Sequence, residues 1–584
     1  MLTNETVTDI TRQGSSFSMM FFPDQACQSP SVMPWASIAN RMKQRSLPSP
    51  RLTALPLVFV LTIVLALGIF VRVTHLGQKV YWHDEVFTSL RAAGHNGSEV
   101  TSEVFTGEVI LPETLLQYQR LSPDRGWSHT WQALTSHPEH PPLYYLLARV
   151  WMELFGSETA IVRSLSVGFS LLAFPALYWL CQELFHSPFT GWIAIGLLSI
   201  SPFHVLYAQE ARQSSLWTLA TLLSSAALVR AMRLKTWASW GVYAATIALN
   251  LYTFLFSVLV VMGHGFLVIL SHPILERWGR SEAGSNSAED STGAARKSLQ
   301  GYLLAVALGL IAFMPWLIVL VQEKGALDAK TFWTTQFLPK DVLIKLWGLH
   351  FSSNFIDLGL PLDHLYTYIA PPIVLLLLAY SLWVLYRHAP RPAAILIPLL
   401  ILLPSLTLML PDLIWEGQRS SQTRYFVPML VGGQLAVAHL LSRLMQHPSY
   451  VRQRVGRGLL AVLLTAGIIS CGLSWQAKTW WSKGVSYTNA ETAAFLNQFD
   501  QPVVVGSSGA TSLGNVISLS YLVHPQVRFQ LVKDPAVPDL AEGRDRFLYF
   551  PSEMLIGTLQ TVYSLNAEAI EQDQVALLRL VEPE

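Results

Sequence analysis

Residues 141–156 read PPLYYLLARVWMELFG, and the topology of the chain turns on whether this stretch crosses a membrane or lies along one. A spanning helix needs about 20 mostly apolar residues. This stretch is shorter, and it carries Arg149 and Glu153. A charge at the bilayer centre costs roughly 2.5–3.5 kcal/mol even on the mildest scale. Its polar and apolar positions separate well enough for a helix lying in the interface.

The rest of the chain supplies the frame for that choice. It has 584 residues, of which 51% are hydrophobic and only 13% charged, and its mean hydropathy is +0.37. Soluble domains carry about 25% charged residues, so much of this surface faces lipid. Nineteen Trp and nineteen Tyr suit two membrane interfaces, where amphipathic rings settle. A net charge of +1 provides no basic field for nucleic acid, so no nucleic-acid partner is expected. Three scattered cysteines, Cys27, Cys181 and Cys471, make neither a disulfide framework nor a zinc spacing.

Eleven stretches read as spans: 52–73, 161–182, 190–209, 214–232, 237–253, 255–271, 301–322, 366–386, 393–410, 425–442 and 458–475. With 141–156 lying flat, the even-handed alternation of loops places the basic sets Arg230/Arg233/Lys235, Arg277/Arg280/Arg296/Lys297, Arg387/Arg391 and Arg443/Arg452/Arg454/Arg457 on the cytoplasmic side. With 141–156 spanning, all of them move outside. The positive-inside rule selects the flat reading. The expected fold is an all-α polytopic membrane protein of about eleven spans with interfacial helices. Residues 1–50 form a polar, disordered cytoplasmic tail, whose basic residues precede an uncleaved first helix. Residues 51–475 form the transmembrane domain, with external loops at 74–160 and 323–365. The segment 281–297 is a polar cytoplasmic linker. Residues 476–584 form a small extracytoplasmic domain, read as α/β from the strand-like runs PVVVGSS, VRFQLV, RFLYF and VALLRLV and the helical patterns ETAAFLNQF and EMLIGTLQTVYSL. The N-terminus is expected inside and the C-terminus outside.

Four polar clusters then share the external face: His83, Asp84 and Glu85; Glu139 and His140; Glu210 and Arg212; and Glu416, Arg419 and Arg424. An acidic pair in a loop is ordinarily just solvated. Asp84 and Glu85, however, lie within a turn or two of the lipid surface, flanked by Tyr81, Trp82 and Phe87, where unpartnered carboxylates are expensive. Glu210 and Arg212, two apart, do not face one another on a helix, so each needs another partner. His140, before two prolines, can simply end a loop. Arg163 and Arg424, at span ends, can simply snorkel. No His, Asp or Glu spacing makes a protein-only metal cage; no cofactor is assigned, and a divalent metal is left open. A carboxylate at the interface can take a proton from an acceptor hydroxyl, and arginines can hold a lipid phosphate. The set therefore suits group transfer from a lipid phosphate. The competing readings are a polytopic transporter or lipid flippase, whose intramembrane charges would mark a pathway, and a noncatalytic scaffold.

Several stretches resemble glycosyltransferase family 39, the protein O-mannosyltransferase-like enzymes. These are the Asp84-Glu85 pair after the first span, EHPPLYYLLARVWMELFGSETAIVRSLSV, SPFHVLYAQEARQSSLWTL and RYFVP. They occur in family order over roughly residues 50–440. The resemblance implies a GT-C fold and transfer of a sugar, with inversion, from a polyprenyl-phosphate donor to a protein, lipid or glycan acceptor. Asp84 becomes the candidate base, with Glu85 beside it and Glu210 as a further acidic catalytic residue. His83, His140, Arg163, Tyr207, Arg212, Arg424 and Tyr425 become candidate substrate contacts. Related aminoarabinose transferases carry a Lys at the position of His140 and an Arg soon after the acidic pair; here the first Arg after it is Arg91. The bacterial wording of the motifs implies a plasma-membrane location.

Overall fold

Apolar side chains on consecutive helical turns leave lipid-facing backbone with one way to satisfy its N–H and C=O groups, and that is the helix. The computed structural model describes residues 50–271, 286–536, 538–540 and 545–582. The tail before residue 50 and the linker residues 281–285 lie outside the described residues. The elements used below are α1 (Pro50–Val73), α2 (His83–Ala92), β1 (Thr106–Ile110), α3 (Leu143–Phe155), α4 (Thr159–Phe185), α5 (Pro188–Ser199), α6 (Pro202–Ala208), α7 (Ser214–Leu234), α8 (Trp237–Thr253), α9 (Ser257–Leu270), α10 (Asn286–Gln322), α11 (Leu365–His388), α12 (Arg391–Trp415), α13 (Val427–Met445) and α14 (Tyr450–Gln476). After α14 come β2 (Val503–Ser507), α15 (Leu513–Ser520), β3 (Arg528–Val532), β4 (Arg546–Tyr549), β5 (Asn566–Ala569) and β6 (Leu577–Val581).

Each of the eleven expected stretches is helical, and α10 also takes in part of the expected linker. By length and composition, seven helices among the described residues can cross a membrane, or eight if the bent pair α5 and α6 is one span. The apolar helix α9 is shorter than a full span, as is the 17-residue α8. The bend between α5 and α6 is 62°. It falls at Pro202, which lacks the N–H that would continue the helix. Arg72, fully buried, caps the broken end: its guanidinium donates to Leu198 O at 2.9 Å and to Ser199 O. The carbonyls orphaned by the break are satisfied in this way.

The stretch 141–156 contributes the 13-residue α3, which is not among the described helices long and apolar enough to cross a membrane. The backbone leaving α1 and the first turn of α4 meet directly, because Arg163 donates to the carbonyls of Leu76, Lys79 and Val80 at 2.6–2.9 Å. Between these two points α2 and α3 pack in one layer, sharing a core with Val504 of β2 and Ile517 of α15. Arg149 finds its partners within that layer: Thr130, Glu153 and the carbonyls of Ala92 and Arg125. At the opposite ends of α4 and α7, Arg233 pairs with Glu183 at 2.9 Å.

The strands after α14, together with β1, form a sheet of order β1-β3-β2-β4-β6-β5. Strands β2, β3 and β4 run parallel, and β1, β6 and β5 add antiparallel neighbours. The four expected strand runs are β2, β3, β4 and β6. The edge strand β1 is a loan from the 74–160 loop. Period-two alternation sorts the side chains of β2: Val503 and Val505 join one core with Leu548, Leu555 and Leu559. Val504 faces the other way, into a core shared with Val86 and Leu90 of α2, Tyr144 and Ala148 of α3, and Ile517 of α15. The sheet is thus built onto the layer that holds α2. The first residues of α15 come so close to α2 that a Cβ at Gly514 would lie 2.7 Å from the Phe87 ring and 2.8 Å from His83 Nδ1.

Candidate active site

Helix α2 begins at His83, so Asp84 and Glu85 occupy its first turn, where negative charge suits the helix dipole. Successive residues on a helix point in different directions, and these two enter different surroundings. Glu85 is fully buried. Its carboxylate receives two bonds from Arg163, each 2.7 Å, the Ala211 N–H at 2.7 Å and Lys483 Nζ at 3.2 Å. Lys483 also reaches Glu210 Oε1 at 3.1 Å, an oxygen that accepts from the Ser482 hydroxyl at 2.8 Å. Burial raises the Glu85 pKa, but the charges of Arg163 and Lys483 outweigh it and hold the group in the carboxylate form. Lys79 lies at the margin of this cluster, donating to Gln209 Oε1 at 3.2 Å. Burial, with Lys483 and Arg163 nearby, pushes its pKa down to about 7.

Asp84 keeps 19% of its side chain exposed. Arg424 approaches its carboxylate at 3.1 Å and Arg212 at 3.5 Å. Burial works against its charge, yet these two guanidinium groups hold its carboxyl well below the usual range. Arg424 is itself framed by Trp82 and Tyr425, 5.3 and 5.5 Å from their ring centres. Arg212 also donates to the Tyr145 hydroxyl at 3.1 Å, and Arg91 lies 5.9 Å from the centre of the same Tyr145 ring.

Several polar atoms at this end of the bundle are buried and find no hydrogen-bond partner among the described residues. The donors are Arg91 Nε and Nη1, Arg212 Nε and Trp82 Nε1; with them go Glu139 Oε2, Glu210 Oε2 and His140 Nδ1. Leaving such groups unmade costs about 1–3 kcal/mol each, and more for charged ones. A cluster of them is the signature of a site that a polar ligand completes.

The expected residues divide accordingly. Asp84, Arg212 and Arg424 converge, with Tyr425 packed on Arg424. His140 lies beside Glu139, its Nε2 3.8 Å from Oε1; burial, with Arg91 and Arg212 nearby, pushes its pKa well down, so the ring is neutral. Tyr207 is buried within electrostatic reach of Glu210 and Arg424. Glu85, Arg163 and Glu210 belong to the inner ion cluster. His83 turns away from the arginines to Ser512 Oγ, 2.9 Å from Nδ1. Arg419 is drawn off to Asp412, at 2.9 Å, and Glu416 is exposed. Sequence reasoning passed over Arg91, Lys79 and Lys483 as site residues. Arg91 could have been found: it lies seven residues after Asp84, two helical turns on and on the same face. Nothing near Lys483 in the sequence points to Glu85. No group of three or more His, Cys, Asp or Glu residues positioned to hold a metal ion occurs among the described residues.

The family described as dolichyl-phosphate-mannose-protein mannosyltransferase matches residues 139–283, the segment that holds His140, Arg163, Tyr207, Glu210 and Arg212. No curated protein sequence matches the chain. Among solved structures, ArnT from Cupriavidus metallidurans bound to undecaprenyl phosphate superposes with a TM-score of 0.51 at 12% identity, covering 91% of this chain and 100% of that one. The archaeal oligosaccharyltransferase AglB from Archaeoglobus fulgidus, in complex with an inhibitory peptide and a dolichol-phosphate, gives 0.45 at 11% identity, over 80% and 64% of the two chains. The second score is too low to carry weight, and the first speaks for the fold. The chain thus carries, over residues 139–283, a segment similar to that mannosyltransferase family, within a fold similar to that of ArnT.

Proposed function

We propose that the chain transfers a sugar from a polyprenyl-phosphate donor to an acceptor hydroxyl or amide at the outer face of a plasma membrane, by single displacement with inversion. The observation that carries this reading is the contrast in the first turn of α2: Glu85 is saturated with partners, while Asp84 is partly open beside arginines that have N–H groups to spare. The acceptor attacks the anomeric carbon, its proton passes to Asp84, and the C–O bond to phosphate breaks with its electron pair staying on the phosphate oxygen. That leaving group gains charge without needing a proton, so cations serve it better than a general acid. Arg91, Arg212 and Arg424 supply them, with the Trp82 indole N–H as a neutral donor. His140 and Tyr425 line the donor pocket.

A base tied to two arginines is a weak base, and efficient catalysis wants a pKa nearer the working pH. Donor binding supplies the remedy. The phosphate competes for Arg424 and Arg212, and each bond it takes from Asp84 raises the carboxylate's proton affinity. Glu85 and Glu210 then act by holding the frame of the site. Purified protein in nanodiscs, given radiolabelled polyprenyl-phosphate sugars, tests the proposal through release of free polyprenyl phosphate. Release by the intact protein and none by an equally folded Asp84→Asn variant is expected. Equal release by both would remove Asp84 from the chemistry, and vectorial movement of donor without cleavage would favour a flippase.

A further inference from the structure

Lys483 is fully buried on the short helix Trp481–Ser486, just after α14 and at the root of the sheet domain. A buried ammonium survives only where carboxylates pay its desolvation. It has two, Glu85 of α2 at 3.2 Å and Glu210 of the turn before α7 at 3.1 Å, so it ties the segment after α14 to both, beside the direct Ala211 N–H bond to Glu85. The same short helix contributes two more contacts: the Ser482 hydroxyl donates to Glu210, and Ser486 Oγ accepts the His83 N–H at 3.1 Å. Ser512, at the start of α15, then holds the His83 ring. The first turn of α2 is thus gripped on the two residues that flank Asp84, His83 and Glu85. Arg163 alone cannot replace Lys483, because its guanidinium reaches Glu85 and backbone carbonyls and makes no contact with Glu210.

We propose that Lys483 is a positioning residue through which the C-terminal sheet domain sets the orientation of Asp84, so that this domain completes the active site. The inference rests on the reading of Asp84 as the base. Without Lys483, Glu85 keeps Arg163 while Glu210 keeps only the Ser482 hydroxyl, the first turn of α2 loosens, and Asp84 loses its register with the acceptor. A displacement of about 1 Å at a reacting group costs on the order of 10²-fold in rate.

The test uses the full chain in nanodiscs, as Lys483→Met, Glu210→Gln and the double variant, read by thermal melting and by donor-concentration dependence of polyprenyl phosphate release. Lys483→Met is expected to lower kcat by about 10- to 100-fold while the donor KM stays within about threefold, since the phosphate contacts of Arg91, Arg212 and Arg424 are untouched. Its melting temperature should fall, and the double variant should recover most of that fall, because it leaves no uncompensated carboxylate. An unchanged kcat in Lys483→Met overturns the proposal, as does a double variant that melts no higher than Lys483→Met. Should Lys483→Met fail to accumulate, accumulation of the double variant supports the proposal and its failure overturns it. Loss of release by the intact protein with every donor sinks the reading of Asp84, whereas the melting comparison still decides whether Lys483 bridges the two carboxylates.

Discussion

Asp84 and Glu85 are neighbours on one helix, and they live in opposite electrostatic economies. Glu85 is the inner residue, saturated by a bidentate arginine, a lysine and a backbone N–H, with no access to solvent. Asp84 is the outer residue, held by two looser contacts of 3.1 and 3.5 Å and still partly exposed. The difference teaches that carboxylates of the same sequence motif divide into scaffold and chemistry by how many of their lone pairs are already taken. A carboxylate with every acceptor site occupied has none left for a substrate proton.

The sharpest way to break this comparison is to neutralise each residue in turn. Asp84→Asn should lower turnover by about 10²- to 10⁴-fold, the usual reach of general base catalysis, with little change in melting temperature. Glu85→Gln should do the reverse in kind. It strips buried Arg163 and Lys483 of a counter-charge, a loss of about 3–5 kcal/mol in stability, visible as poor accumulation or early melting. If Glu85→Gln melts normally and Asp84→Asn does not, the division is upside down.

The next effects concern the cations. Arg91 carries buried, unpartnered N–H groups, so Arg91→Gln should weaken donor binding by about ten- to a hundredfold, the worth of a hydrogen bond to a charged group, read as a rise in donor KM. An unchanged KM would show that the donor phosphate sits elsewhere. Arg424 holds the Asp84 carboxyl below its usual range. With the intact protein, the acid limb of kcat/KM from Asp84 should therefore lie below about pH 4. In Arg424→Gln the depression is relieved, the carboxyl takes up its proton at higher pH, and the limb moves upward. A limb that stays put would mean the limiting group is not Asp84. The smallest effect is expected at Arg419, whose guanidinium is engaged with Asp412; Arg419→Gln should change turnover by less than about twofold, as is typical of a partly exposed ion pair.

Much of the outer site was legible in the sequence, because the motifs that carry it sit at helix starts. Asp84 opens α2, Arg212 precedes α7 and Arg424 precedes α13, and short loops bring such ends together at one interface. The sequence marked 141–156 by Arg149 and Glu153; in the structure Arg149 pairs with Glu153 and donates to Thr130 and to the carbonyls of Ala92 and Arg125. The number of crossings was less legible: hydropathy alone marked eleven stretches, and several of the resulting helices are short or broken. Hydropathy registers apolar composition, whereas helix length depends on where proline and capping residues stop the backbone.

The sequence by itself determined that the chain is a helical membrane protein with a small sheet domain, and which residue types stand at the ends of its helices. Apolar composition and side-chain periodicity act locally and can be read along the chain. Only the tertiary structure decided that β1 leaves its loop to join the sheet, that His83 faces Ser512, and that Lys483 lies against Glu85, 398 positions away. Such pairings are set by how packed surfaces meet, and an ion pair across that separation leaves no period or spacing to read. The same packing leaves Asp84 open and closes Glu85.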